Sequence, residues 1–204
     1  MAMLAAIPTF GIMMGNLYRG PTGLKANPYI VCLADTGEGK DWPRRMGKHL
    51  LKACGRANCI GADVWGSDSG VERELSENNE LLWYIDELNP FLRDIKNPNC
   101  PAYKNNIVTY MLTMSGGLAH DGKSLKDGEA TIKIADPMPS IFACAQPDEF
   151  FQMLDDRLVA NGFVNRNLIF LGHWIRRVEY GRKPKMLEEC MPTELVKHYE
   201  GASR

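Results

Sequence analysis

The stretch Tyr29-Ile-Val-Cys-Leu-Ala-Asp-Thr-Gly-Glu-Gly-Lys-Asp41 constrains this chain more than any other. An apolar run suited to a strand buried on both faces passes without a break into a glycine-rich turn that ends in lysine and opens a helix. Gly37 and Gly39 allow positive φ, so successive backbone N–H groups can point inward as a nest for an anion. The N-terminal dipole of the next helix and the point charge of Lys40 add to that attraction. About 40 residues later, Leu81-Leu-Trp-Tyr-Ile-Asp-Glu87 is a second apolar strand, ending in two acids. A loop that can wrap phosphates and an acidic pair at the tip of a buried strand belong together in nucleotide chemistry.

The remaining composition narrows the setting. With 204 residues and 22.9 kDa the chain suits one domain, or one with an appendage, and can bury a full core. Apolar residues make up 45% and charged residues 24%, the balance of a soluble globular protein. A net charge of -1 excludes a global basic field, so contact with nucleic acid has to come from a local patch. Six cysteines (Cys32, Cys54, Cys59, Cys100, Cys144, Cys190) show neither CxxC nor zinc spacing with histidine and read as free thiols of a reducing cytosol. The apolar start lacks a basic leader, and no window approaches the roughly 18 apolar residues of a membrane helix. The expected setting is cytoplasmic.

Patterning predicts a short helix over 2–14, a strand over 28–34 and a helix over 42–53, with Met46, Leu50, Leu51 and Ala53 on its buried face. A polar turn at Ser67 caps a short helix, a strand covers 81–85, and helical segments follow at 88–95 and 107–114. Residues 116–129 form a glycine-rich loop or hairpin, followed by a strand pair at 130–135 and 139–145, a helix over 148–161 and a strand over 166–171. A core over 1–175 and a short basic C-terminal extension over 176–204, with a helix near 194–199, complete the reading. Strand–helix alternation with apolar strands implies an α/β fold with a largely parallel sheet flanked by helices.

Compared with the phosphate-loop template GxxxxGK[ST], residues 34–41 depart at both ends: Ala34 replaces the first glycine and Asp41 the hydroxyl that would serve magnesium. Asp41 is itself a hard oxygen ligand, at the cost of a negative charge beside phosphate. The expected nucleotide-binding residues are Asp35, Thr36, Gly37, Glu38, Gly39, Lys40 and Asp41. Asp86 and Asp41 are the candidate metal ligands, and Glu87 is the candidate base that polarises attacking water. The competing reading of the acids is that they cap the helix that follows.

Together, Leu33-Ala-Asp-Thr-Gly-Glu-Gly-Lys-Asp-Trp-Pro-Arg44, Ser67-Asp-Ser-Gly-Val-Glu72, Leu82-Trp-Tyr-Ile-Asp-Glu-Leu88 and Gly162-Phe-Val-Asn-Arg-Asn-Leu168 resemble the ATPase module of phage and prophage primase/helicase-like proteins, over roughly residues 3–172. The resemblance implies a RecA/AAA-like P-loop core that assembles into rings and uses ATP and Mg2+ during DNA replication. It assigns phosphate binding to Lys40, metal to Asp86 and Asp41, and base catalysis to Glu87. Gln146 becomes a sensor of the γ-phosphate, and Arg166 an arginine finger for a neighbouring subunit, with Arg157 as second candidate. His120, Lys123 and Lys126, in the glycine-rich loop, suit a grip on single-stranded DNA, as does the basic run from Arg176 to Lys185.

Two other readings stay open. One is a nucleotide-binding adaptor of a replication complex that does not hydrolyse, favoured by the altered loop ends. The other is a P-loop enzyme acting on a small molecule, such as a kinase.

Overall fold

Strands β1 (Tyr29–Leu33), β2 (Glu80–Ile85) and β3 (Met138–Ala145) form where the sequence offers side chains that can be buried on both faces at once, while β4 (Asn167–Leu171) is an edge strand of half-buried and exposed residues. These are seen in a computed structural model that describes residues 1–117, 119–121 and 132–172, with Thr193 and Lys197 as isolated helical positions. The expected extension over 176–204, its helix near 194–199 and loop positions 122–131 lie outside the described residues, Thr193 and Lys197 excepted. All strand pairs are parallel, in the order β2-β3-β1-β4. Tyr29 pairs with Ile141 and Leu33 with Ala145 on one side of β1, and Tyr29 with Asn167 on the other. A parallel bridge from Ile60 to Leu82 adds one more rung outside β2.

The period of two along each strand divides the core into two layers. Tyr29, Val31 and Leu33 face the same side as Trp83, Ile85 and Ile141. That face is covered by α3 (Asp68–Glu77), α4 (Asn89–Lys96) and α5 (Ala102–Met114). Ile30 and Cys32 face the other side with Tyr84, Phe142 and Cys144, beneath α1 (Ala2–Met14) and α2 (Asp41–Ala53). Full burial of Trp83 and Phe142 stabilises the fold by about 1.5–3 kcal/mol each. The expected α/β fold with a parallel sheet between helices is therefore observed.

Three local expectations are corrected. The helix expected over 148–161 is two, α6 (Pro147–Met153) and α7 (Asp156–Ala160). The break occurs because Leu154 is extended and the Asp155 carboxylate accepts from Leu158 N at 2.9 Å, starting a new helix as its N-cap. The strand expected at 130–135 is, among the described residues, only a bridge between Ile134 and His120. Asp136, at φ 55°, then turns the chain into β3. On α2 the buried face is Pro43, Gly47 and Leu51, while Met46 and Leu50 are half-buried and Ala53 is exposed. A last short helix, α8 (Phe163–Arg166), leads into β4.

Trp65 and Trp83 are in the core. Cys32 and Cys144 are opposite each other on the paired strands β1 and β3, fully buried. Burial pushes the Cys144 thiol up to about 12, with Cys32 adding to the effect, and burial raises Cys32 as well. Thiolate is the reactive form. At pH 8 iodoacetamide is expected to label the half-buried Cys100 and to leave Cys32 and Cys144 intact until denaturant is added. Peptide mass mapping reads the difference site by site.

Candidate functional site

The chain leaves β1 through α2 toward β2, and leaves β3 through α6 toward β4 on the opposite side of the sheet. Between adjacent parallel strands whose connections diverge, a crevice opens at the carboxyl ends. The residues that reach it follow directly from the strands. Ala34 still pairs, its N–H donating to Ala145 O at 3.0 Å, and beyond it Asp35, Thr36 and Gly37 are exposed. Gln146 is the first residue after β3, and its Nε2 donates to Thr36 Oγ1 at 2.8 Å.

The loop has the backbone its glycines permit. Gly37 stands at φ 85° and Gly39 at φ 74°, and a Cβ on either would meet nothing within 4 Å. Space above the loop is therefore open, and what demands glycine is backbone conformation, not crowding. Glu38 closes the turn, its carboxylate accepting from Asp35 N at 3.1 Å and its N–H donating to Asp35 O at 3.4 Å.

Lys40 and Glu87 come together across the crevice. Lys40 Nζ stands 3.6 Å from Glu87 Oε2, and the other Glu87 oxygen is buried without a hydrogen-bond partner. Asp86, at the tip of β2, is exposed. The acids do not cap the next helix: Leu88 holds the N-cap position of α4, with no side-chain cap bond. A residue missed in the sequence reading, Arg44, bridges the two halves of the site. It donates to Asp41 Oδ1 at 2.7 Å and lies 3.5 Å from Asp86 Oδ1. Burial works to lower the pKa of Arg44, but the Asp41 bond and the charges of Asp86, Asp41 and Asp63 outweigh it, and the net direction is up. Its spacing of three from Asp41 on a helix was the available signal.

Arg166 is elsewhere. It ends α8 at the amino end of β4, and its charge bears on the buried Tyr29 hydroxyl at the amino end of β1. The five residues of β1 set it about 16 Å from the loop of its own chain. The side chain is exposed and donates to Gly162 O at 3.3 Å. Arg157 is also remote, donating to Ile95 O. The Ser67 motif is structural: Ser67 caps α3 by accepting from Gly70 N at 3.1 Å, and the buried Asp68 accepts from Asn106. His120 bonds Glu72 at 2.8 Å, while Lys123, Lys126 and the basic run from Arg176 lie outside the described residues.

No group of three or more His, Cys, Asp or Glu able to hold a metal occurs among the described residues. A magnesium ion carried by substrate phosphates needs only one or two carboxylates, and the exposed Asp86 meets that demand better than Asp41, which is already tied to Arg44. No helix among the described residues is long and apolar enough to cross a membrane. Comparison of the chain with family models, with curated proteins and with solved structures finds no match.

The loop geometry carries its own test. Gly39→Ala is expected to cost about 1–2 kcal/mol through left-handed strain. Gly66→Ala, where the new Cβ also meets nothing and φ is not positive, should leave stability unchanged or slightly raised. Urea denaturation of the two variants separates these outcomes.

Proposed function

We propose that this chain is a P-loop ATPase with a RecA/AAA-like core, binding ATP–Mg2+ on the 34–41 loop. The observation that carries the reading is the convergence of Lys40, Glu87 and Gln146 at the one crevice where connections diverge. Further support comes from the strand order: β3 lies between the loop strand β1 and the acidic strand β2. That order sets the loop strand and the acidic strand one strand apart, so a phosphate group on the loop would face the acids.

In this reading the N–H groups near Gly37 and Gly39, with the start of α2, hold the β- and γ-phosphates, and Lys40 exchanges Glu87 for phosphate oxygen. Glu87, released, takes a proton from the attacking water. Gln146 is placed to hydrogen-bond the γ-phosphate once it leaves Thr36. Asp86 holds the metal, which when bound neutralises charge on the phosphates. Exposed and remote from its own site, Arg166 serves a second copy, so the active form is a homo-oligomer. The sequence resemblance to phage primase/helicase-like modules supports DNA replication as the setting of this reading, with single-stranded DNA and replication proteins as its partners.

The second reading is the adaptor that binds nucleotide without hydrolysis. It is favoured by Asp41, whose carboxylate takes the place of the metal-binding hydroxyl and is held by Arg44.

Phosphate release from ATP–Mg2+, with and without single-stranded DNA and across a protein concentration series, tests these readings. Lys40→Ala should abolish ATP binding. Glu87→Gln should keep binding and lose about 10²–10⁴-fold in turnover. Arg166→Ala alone should be inactive, yet mixing it with Glu87→Gln should restore turnover, because mixed assemblies pair an intact base with an intact finger. Binding that needs Lys40 but gives no turnover selects the adaptor. Absence of ATP binding ends the phosphate-loop reading.

A further inference from the structure

We propose that the cleft between α1 and α2 holds the nucleotide base, and holds it by stacking and apolar burial on Trp42 without reading the purine edge. The proposal rests on the phosphate-loop reading and adds to it the site of the base and the substrate class, purine nucleotides in general.

The cleft has a volume of about 280 Å³, near the lower limit of small-molecule sites, and is lined by Ala6, Phe10, Trp42, Met46 and Leu50 among others. Its position follows from helix geometry. Trp42, Met46 and Leu50 recur every four residues on one face of α2, and Trp42 is the second residue after Lys40. Arg44 and Lys48 occupy the opposite face, turned toward Asp86 and Asp63. The γ end of a bound nucleotide has to point at Glu87 and Gln146, where the acids and the polar side chain are. Its base must then leave on the other side of α2, and the α1–α2 cleft is what it meets there.

The lining also explains why α2 departs from its expected burial. Met46 and Leu50 are kept from the core because Gly47 and Leu51 take that face, Gly47 lying so close to Tyr84 that a Cβ would clash with its ring. Trp42 remains 42% exposed on the rim, an indole face with no ring partner shown. Polar groups are scarce. The Thr9 hydroxyl is already committed, donating to Ala5 O at 2.6 Å and paired with Tyr84 Oη at 2.7 Å. A pocket that stacks a base without bonding its edge discriminates poorly between adenine and guanine.

Calorimetric titration of the full chain with ATP, GTP and inorganic tripolyphosphate, each with Mg2+, tests this. ATP and GTP are expected to bind within about threefold of each other. Trp42→Ala, a change at an exposed rim position, should weaken both by about tenfold and leave tripolyphosphate within twofold. Ala6→Phe, which fills the cleft from α1, should do the same without touching Trp42. Lys40→Ala should lose all three ligands. If ATP binding needs Lys40 but is unchanged in both Trp42→Ala and Ala6→Phe, the base lies elsewhere and this proposal fails while the phosphate loop stands. A preference above about thirtyfold for one purine overturns the claim that the edge is unread. If neither tripolyphosphate nor ATP binds the unaltered chain, both readings fall together.

Discussion

The pairing of β1 with β3 decides where a site can exist in this chain. Their backbones run in register from Tyr29 and Ile141 to Leu33 and Ala145, and the ladder continues one step further through Ala34 N–H to Ala145 O. Both strands are buried over their whole length, so no polar side chain of theirs reaches solvent before the strands end. The first that can are Asp35 and Thr36 on one strand and Gln146 on the other, and the diverging connections open the crevice between them. Chemistry is thus confined to the carboxyl ends by the same hydrophobic burial that holds the sheet together. Helices on both faces finish the enclosure: α1 and α2 over Ile30 and Cys32, α3 to α5 over Val31 and Leu33.

Within the crevice the charges are paired but not equally fixed. Lys40 and Glu87 are 3.6 Å apart, and Glu87 is half-buried at the mouth. At that distance the pair is an ion contact without a hydrogen bond, so in the proposed site a polyphosphate with several oxygens can displace Glu87. Arg44 is different. It is hydrogen-bonded to Asp41 at 2.7 Å and faces Asp86 as well. Removing it would strand two carboxylates beside the incoming phosphates. In the proposed phosphate site Arg44 would offset the departure that Asp41 makes from the phosphate-loop pattern, screening a negative charge beside the ligand.

Much of this was legible in the sequence, and the reasons are specific. The apolar runs at 29–33 and 81–85 are bounded by glycine or acid, so strand, loop and acidic tip could be placed without coordinates. What stayed hidden depends on tertiary context. The break at Leu154 and Asp155 is invisible to a helical period, because Asp155 can solvate a helix surface or cap a new one with equal local ease. The buried face of α2 was misjudged for a related reason: hydrophobicity favours Met46 and Leu50, but the close approach to Tyr84 requires the small Gly47 inward. Arg44 was missed because a charged residue in a first helical turn reads as solvated surface until Asp86 is brought beside it.

Arg166 shows how topology restricts roles that sequence leaves open. It stands at the amino ends of the strands, where Tyr29 is buried and Asn167 pairs with it, while every phosphate-binding candidate stands at the carboxyl ends. No rotamer spans about 16 Å of strand, so a part in its own site is excluded by length alone. Two uses remain. A structural one would need the guanidinium to be committed, yet its one hydrogen bond shown is a 3.3 Å contact to Gly162 O, four residues back along the same turn, and the side chain is exposed. That bond is long enough to be surrendered to a better acceptor. The other is the neighbour's phosphate of the proposed ATPase, and a head-to-tail contact is the geometry that would bring the amino end of one sheet to the carboxyl end of the next. Such heterologous contacts close into rings when the rotation permits. A symmetric pair with the same patch facing itself would instead set two Arg166 side chains against each other and leave both crevices empty of them.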